Sequence, residues 1–144
     1  MPIEVRLGPG ARGSSAAWIK KVIAGVLRAE KAKRRSVSVL LTNDRQIRKL
    51  NRDFLRHDYA TDVISFWAKP ETLSPGEADY LGDLVVSVQT AKTVSKKLKL
   101  PFREELARYL VHGTLHLLGY EDGTKKDKMK MERRQETLVG RLLG

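Results

Sequence analysis

Apolar residues along this chain follow two spacings, one typical of β-strands and one typical of α-helices. Short runs that alternate, or that are rich in β-branched residues, predict four strands, at residues 3–7, 36–43, 62–67 and 81–88. Apolar residues three and four positions apart predict five helices, located after Ser14 and Ser15, after Asn43, through 93–99, over 102–118 and over roughly 124–142. This pattern predicts an α+β fold, with a small mixed sheet of about four strands and helices packed around it.

Local signals indicate where these elements end and what they bury. Asn43 is predicted to cap the second helix, which then buries a stripe formed by Ile47, Leu50 and Phe54. Gly119 stands where a left-handed residue would close the helix over 102–118. The third and fourth strands are joined directly by a loop that is rich in proline, which favours at least one antiparallel strand pair.

Composition limits the class of protein. The chain has 144 residues, 41% of them hydrophobic, so we expect one domain over residues 1–144 with a core of ordinary size. It contains no cysteine, which excludes disulfides, thiolate zinc sites and cysteine nucleophiles and is consistent with the cytoplasm. No apolar stretch is long enough to serve as a signal peptide or a membrane span. The formal net charge of +11 favours a polyanionic partner, most often nucleic acid.

Two of the three histidines, His112 and His116, lie four residues apart in the predicted long helix. That spacing places both imidazoles on one helix face, about 6 Å apart along the axis, where both can reach one metal ion. A catalytic zinc uses three protein ligands and keeps one position open. The third ligand is expected from Glu121 or Asp122. The count of the metzincin motif, in which the last ligand follows the glycine by three residues, selects Asp122.

Less specific explanations of these residues stay open. A histidine pair on a helix is also compatible with ordinary buried or capping residues, and Asp122 precedes Gly123 as a turn residue often does. The general-base glutamate of metalloproteases is replaced by Gly113, so peptide hydrolysis by the usual route is not expected. A metal can still lower the pKa of a bound water toward 7, and nearby cations can stabilise the charge that develops on a phosphodiester.

A second polar stretch, LNRDFLRHDYATDVISF (50–66), joins the second helix to the third strand. Polar groups at such junctions often belong to active sites. The alternative is a turn held by local bonds between side chains and backbone, and it applies to Asp58, Thr61 and Asp62 in particular. Arg56 and His57 are harder to explain as turn residues. The basic runs KAKRR (31–35), KKLK (96–99) and KKDKMK (125–130) are solvated faces or together an RNA track.

The stretches LNRDF, DYATDVISF, LGDLVVS and LVHGTLHLLGY, in this order, resemble the YbeY-type endoribonucleases, which are metal-dependent bacterial enzymes of ribosomal RNA maturation. The resemblance runs from about Ile47 to the last helix, and the first strand and helix also fit. It implies an α+β fold with a metal site at the end of a helix. It also implies zinc bound by His112 and His116, with Asp122 where the family has a third histidine. That departure leaves another divalent metal open.

The family has a catalytic arginine at the position of Leu55 here, so the neighbouring Arg56 is the expected substitute, acting together with His112. Arg52, His57 and Ser65 are the expected substrate-binding residues. The resemblance further implies single-stranded rRNA of the small ribosomal subunit as substrate, with maturation of the 16S rRNA 3′ end and ribosome quality control as the role. A small-subunit ribosomal protein and an Era-type GTPase are possible partners. The alternative is a non-catalytic ribosome-assembly factor with a structural metal.

Overall fold

A computed structural model describes residues 3–11, 13–57 and 61–143 of the protein. Four strands are present in these ranges, namely β1 (Ile3–Leu7), β2 (Ser36–Thr42), β3 (Val63–Trp67) and β4 (Tyr80–Ser87). The α-helices are α1 (Ala16–Ala29), α2 (Asp44–Leu55), α3 (Val88–Leu98), α4 (Phe102–Leu117) and α5 (Lys125–Leu143). Two short 3₁₀ turns, Pro70–Thr72 and Pro75–Glu77, lie between β3 and β4. The predicted α+β fold is confirmed.

The four strands form one mixed sheet in the order β1-β2-β4-β3. β1 pairs with β2 and β2 pairs with β4 in parallel, whereas β3 pairs with β4 antiparallel. The direct connection between the third and fourth strands therefore makes an antiparallel pair, as predicted. β3 lies at the edge of the sheet, and this leaves its last residue, Trp67, beside solvent.

Helix ends follow the predicted local chemistry. The side chain of Ser15 accepts a hydrogen bond from the Trp18 amide at the start of α1, and Asn43 accepts one from the Gln46 amide at the start of α2. These bonds satisfy amide groups that have no partner inside a helix. Gly119 has a φ of +106°, the left-handed conformation expected where α4 ends.

Two details of the prediction are wrong. Phe54 is 68% exposed and does not belong to a buried stripe, while Ile47 of the same helix is fully buried. The C-terminal part of α2 borders an open groove on this face of the sheet, where the Phe54 ring meets the ring of Phe66 with 6.1 Å between their centres. Helix α3 begins at Val88, directly after β4, instead of a few residues later.

The two faces of the sheet carry cores of different size. The larger core packs helices α1, α4 and α5 against one face and includes Leu84 and Val86 of β4. The smaller cluster joins Ile47 of α2 to Ile64 and Val85 on the opposite face. Successive strand residues point to opposite faces, so Val63, Ser65 and Trp67 of β3 share the face on which α4 lies. Among the described residues no helix has the length and apolar content to span a membrane.

Candidate metal and RNA site

Helix α4 brings the two histidines together as the spacing predicts. The rings of His112 and His116 have centroids 6.4 Å apart and are nearly parallel, at 25°. Both residues are half-buried. The pair lies over the strand β3, whose residues 63, 65 and 67 face the helix.

The Nδ1 atom of each ring already has a partner. His116 Nδ1 lies 2.8 Å from the carbonyl oxygen of Tyr120, and His112 Nδ1 lies 2.9 Å from Oε1 of Gln135 on α5. An imidazole that donates from Nδ1 to an oxygen presents the lone pair of Nε2, which is the arrangement that orients metal-ligating histidines. Nε2 of each ring is therefore the atom left for a divalent metal such as Zn²⁺, and the two rings would supply two of the three protein ligands of a catalytic site.

Residues of β3 support the helix that carries the pair. The Ser65 hydroxyl donates a hydrogen bond of 3.2 Å to the carbonyl oxygen of Gly113, which ties the strand to α4. The ring of Trp67 lies 4.6 Å from that of His116, tilted by 60°. Ser65 therefore has a visible role in positioning α4, and its role in substrate binding stays a prediction.

Gly113 has a packing reason to be glycine. A Cβ atom at this position would lie 2.8 Å from Cδ2 of Leu84 and 3.1 Å from Cγ2 of Val63. The face of α4 that carries Gly113 thus rests directly on the sheet. A glutamate here would be pressed into the core instead of reaching a metal, so the metalloprotease arrangement is incompatible with this packing.

A cavity of about 440 Å³ lies beside His112 and is predominantly acidic. Its lining includes one guanidinium, that of Arg108, and four carboxylates, from Asp62, Glu105, Glu132 and Glu136. Arg108 hydrogen-bonds both oxygens of Glu136 and also contacts Glu104 and Glu105. The hydrogen bond from Arg108 lowers the pKa of Glu136 below its usual value. This side of the pair is unfavourable for phosphate.

A second groove, beside Tyr120, is basic. A groove of about 1040 Å³ is formed by Tyr120 and the exposed face of α5. The ammonium group of Lys130 lies 5.8 Å from the centre of the Tyr120 ring. Four further cationic residues line the same groove: Lys125, Lys126, Arg133 and Arg134. Part of the run KKDKMK (125–130) thus lies in a basic groove beside Tyr120, whose carbonyl oxygen contacts His116.

Asp122 is exposed, in the segment that connects α4 to α5. Across residues 3–11, 13–57 and 61–143, no three His, Asp or Glu side chains are grouped closely enough to hold a metal ion. The structure therefore brings His112 and His116 together without Asp122. Asp122 as third ligand stays a prediction that requires its short connecting segment to move toward the rings.

Within the second polar stretch, Ser65 and Asp62 lie near the histidine pair, whereas Arg52, Arg56 and His57 belong to α2 and its end. Arg52 and its neighbours belong to α2, whose body packs on the face of the sheet opposite α4. Arg56 ends α2 in the left-handed conformation, with a φ of 60°, and Arg56 and His57 are both exposed. Arg56 thus acts as a helix C-cap, a backbone role that the sequence did not indicate. Asp58 lies outside the described residues.

Sequence reasoning missed two neighbours of the histidines, Gln135 and Trp67. Gln135 comes from a helix that begins after the motif, and a glutamine in a charged helix carries no signal of its own. Trp67 could have been considered, since a tryptophan at the end of a predicted strand, next to a polar loop, is poorly placed for a core. Both are near the pair only because α5 and β3 pack on α4, with which they share many contacts.

The fold and the histidine pair are consistent with a hydrolase of the endoribonuclease class, and comparison with known proteins identifies the family. The family model described as Endoribonuclease YbeY matches residues 11–143. Endoribonuclease YbeY of Syntrophotalea carbinolica is 38% identical over 129 residues, which cover 86% of this chain and 84% of that protein. Endoribonuclease YbeY of Chlorobaculum parvum is 31% identical over 144 residues, covering 100% of this chain and 97% of that protein.

The chain therefore belongs to the endoribonuclease YbeY family, and the resemblance found in the sequence is confirmed. A solved structure supports the fold independently. The solution structure of TM1509 from Thermotoga maritima matches with a TM-score of 0.70 and 25% identity, covering 97% of this chain and 88% of that one.

Proposed function

We propose that this protein is a metal-dependent endoribonuclease that hydrolyses phosphodiester bonds of single-stranded RNA. Family membership supports the endoribonuclease class. The observation that carries metal dependence is the engagement of both Nδ1 atoms, by Gln135 and by the Tyr120 carbonyl, which presents both Nε2 atoms as ligands. If the two histidines served only core packing, there would be no reason for both Nδ1 atoms to be held by oxygen partners in the same way.

The residues of the chain divide the work as follows. His112 and His116 would hold the metal, with Asp122, in the segment after Gly119, as the third ligand. A bound Zn²⁺ or other divalent ion supplies a water of lowered pKa and charge stabilisation for the phosphodiester. Arg56 stabilises negative charge on the phosphate, which requires that the exposed end of α2 reach around the edge of the sheet.

The charge distribution indicates how RNA approaches. The cavity beside His112 is acidic and the groove beside Tyr120 is basic, so the phosphate backbone is attracted along α5 and kept from the Arg108 side. Arg52 and His57 on the other face would contact a strand that leaves the site past the start of β3. With a net charge of +11, binding should weaken steeply with salt.

We further propose that the substrate is rRNA of the small ribosomal subunit, cut in maturation of the 16S 3′ end and in ribosome quality control. This proposal rests on the family resemblance and on the basic surface, and it implies action in the cytoplasm. A small-subunit ribosomal protein and an Era-type GTPase are the partners to test. Co-sedimentation with small subunits, at low and at high salt, would detect the association.

The central experiment measures bound metal and RNA cleavage in His116→Ala and Asp122→Ala variants. We expect both to lose metal and to lose cleavage of single-stranded RNA, while duplex RNA resists the unaltered protein. Glu121→Ala is a matched control, since Glu121 is an adjacent exposed carboxylate and should be dispensable. Unchanged metal content and cleavage in both His116→Ala and Asp122→Ala would refute the site.

The rival function is a non-catalytic assembly factor with a structural metal, and it is favoured by the position of Gly113. No general base follows the first histidine, and packing prevents one from being placed there. This rival predicts full metal occupancy and tight RNA binding without cleavage. A peptidase is disfavoured by the same residue, and a casein digestion assay tests that directly.

A further inference from the structure

Trp67 is an exposed aromatic residue beside the histidine pair. It ends the edge strand β3, and its side chain is 51% exposed although its ring contacts His116. Its partner across the strand ladder is Gly82, which contributes no side chain to cover it. Gly82 has a φ of +149°, and a Cβ there would overlap the carbonyl oxygen of Phe66, so this position has to stay glycine. The indole is therefore kept open by the backbone itself.

A cavity of about 600 Å³ lies next to the indole, between the two 3₁₀ turns and the C-terminal end of α4. Its size is in the range of small-molecule sites. The walls are mainly apolar, with Leu73, Pro75 and Leu117 around Trp67. Arg35 also lines it, and its Nε donates to the Asp79 carbonyl oxygen at 3.1 Å, which holds the guanidinium in place. Apolar walls, the plane of the Trp67 indole and the Arg35 guanidinium suit a flat heterocycle attached to an anionic backbone.

Single-stranded RNA has this chemistry. Unpaired bases stack on aromatic side chains and phosphates pair with arginine. Acidic groups on the His112 side disfavour the strand there, so the Trp67 side is open to a base whose phosphate lies near His116. We infer that Trp67 and the cavity beside it form a subsite for one unpaired nucleobase, adjacent to the bond that is cut. This inference rests on the proposed nuclease function for its location and deepens it by naming what selects single strands.

Fluorescence measures the stacking directly. The chain has two tryptophans, so Trp18→Phe leaves Trp67 as the reporter. We expect a phosphorothioate oligouridylate, which resists hydrolysis, to quench Trp67 of the metal-loaded protein saturably. A duplex of the same length should quench far less. Equal quenching by duplex and single strand would contradict the inference, because paired bases cannot enter the cavity.

Substitution of Trp67 measures how much stacking contributes to RNA binding. Trp67→Ala should weaken binding of the single strand about 5- to 150-fold, which corresponds to ~1–3 kcal/mol for one stacked base. KM should rise by a similar factor with little change in kcat, because stacking is retained throughout the reaction. Trp67→Phe, which keeps an aromatic plane, should recover most of the affinity. If Trp67→Ala binds RNA as tightly as the unaltered protein, the inference is wrong.

Contact with His116 provides a competing explanation, in which Trp67 merely supports the metal site. Under that explanation Trp67→Ala loses bound metal and kcat, and this result would overturn the subsite. A second variant avoids the histidine altogether. Ala78 is exposed and lines the cavity, so Ala78→Glu should raise KM by repelling phosphate, whereas Ala17→Glu, on exposed α1 surface, should not. Equal effects of these two variants would count against the cavity.

The two proposals fail in different ways. If the protein binds single strands at Trp67 but cleaves none, the nuclease function is refuted and the base subsite stands. If it cleaves RNA and Trp67→Ala keeps its KM, the subsite is refuted and the nuclease function stands.

Discussion

Replacing Gly113 by glutamate restores the metalloprotease motif in the sequence but should largely unfold the protein. The new Cβ would lie 2.8 Å from Leu84 and 3.1 Å from Val63 in a closely packed core. Overpacking of this kind costs about 1–3 kcal/mol. Keeping the buried carboxyl neutral at pH 7 costs about 3.7 kcal/mol, from 1.36 kcal/mol per pH unit and a reference pKa near 4.3. Replacing a glycine inside a helix stabilises the helix by up to ~1 kcal/mol, which offsets little of this cost.

The expected net loss of about 4–6 kcal/mol approaches the whole stability of a small domain. Urea unfolding followed by circular dichroism measures it. Gly113→Ala keeps the clash without the charge and should lose only about 0–2 kcal/mol. Gly140→Glu is the matched control, since Gly140 lies in α5 with nothing within 4 Å of its Cβ, and it should be neutral or slightly stabilising.

The pH dependence isolates the charge. A glutamate buried at position 113 would have its pKa raised in the folded state, so its penalty exists above the unfolded pKa and vanishes as the pH falls below about 4.3. The stability difference between Gly113→Glu and Gly113→Ala should therefore shrink toward pH 4. If Gly113→Glu is as stable at pH 7 as the unaltered protein, this face of α4 does not rest on the sheet and the reasoning fails.

Two further predictions concern the neighbours of the histidines. Gln135→Met removes the acceptor of His112 Nδ1 while keeping the length of the side chain. Metal affinity measured by calorimetry should fall about 10- to 100-fold. An unchanged affinity would mean that Gln135 does not orient the ring. Glu136→Gln should remove an acid-sensitive part of the stability, because the hydrogen bond from Arg108 lowers the pKa of Glu136 in the folded state. That contribution is present above the unfolded pKa of about 4.5 and is lost as the pH falls through the folded value. The variant should therefore show a flatter decline of stability against urea below pH 5. A decline identical to that of the unaltered protein would exclude the contribution.

Local patterns determined the elements and one half of the candidate site. The spacing of apolar residues predicted the strands. Together with capping signals it also predicted α4, with its two histidines on one face, because those features depend only on residues a few positions apart. The same reasoning placed Phe54 in the core, where it is not, since exposure depends on how far α2 extends over the sheet. Family membership was also readable from the motifs around His112.

Only the tertiary structure decided what surrounds the histidines. Gln135 and Trp67 reach the pair from α5 and from an edge strand, and no local signal connects residues so far apart in the chain. Packing likewise gave a physical reason for Gly113, which the sequence showed merely as a missing base. The spacing of apolar residues and the capping of helices depend on neighbouring residues, whereas the shape and charge of a site depend on which distant surfaces come into contact.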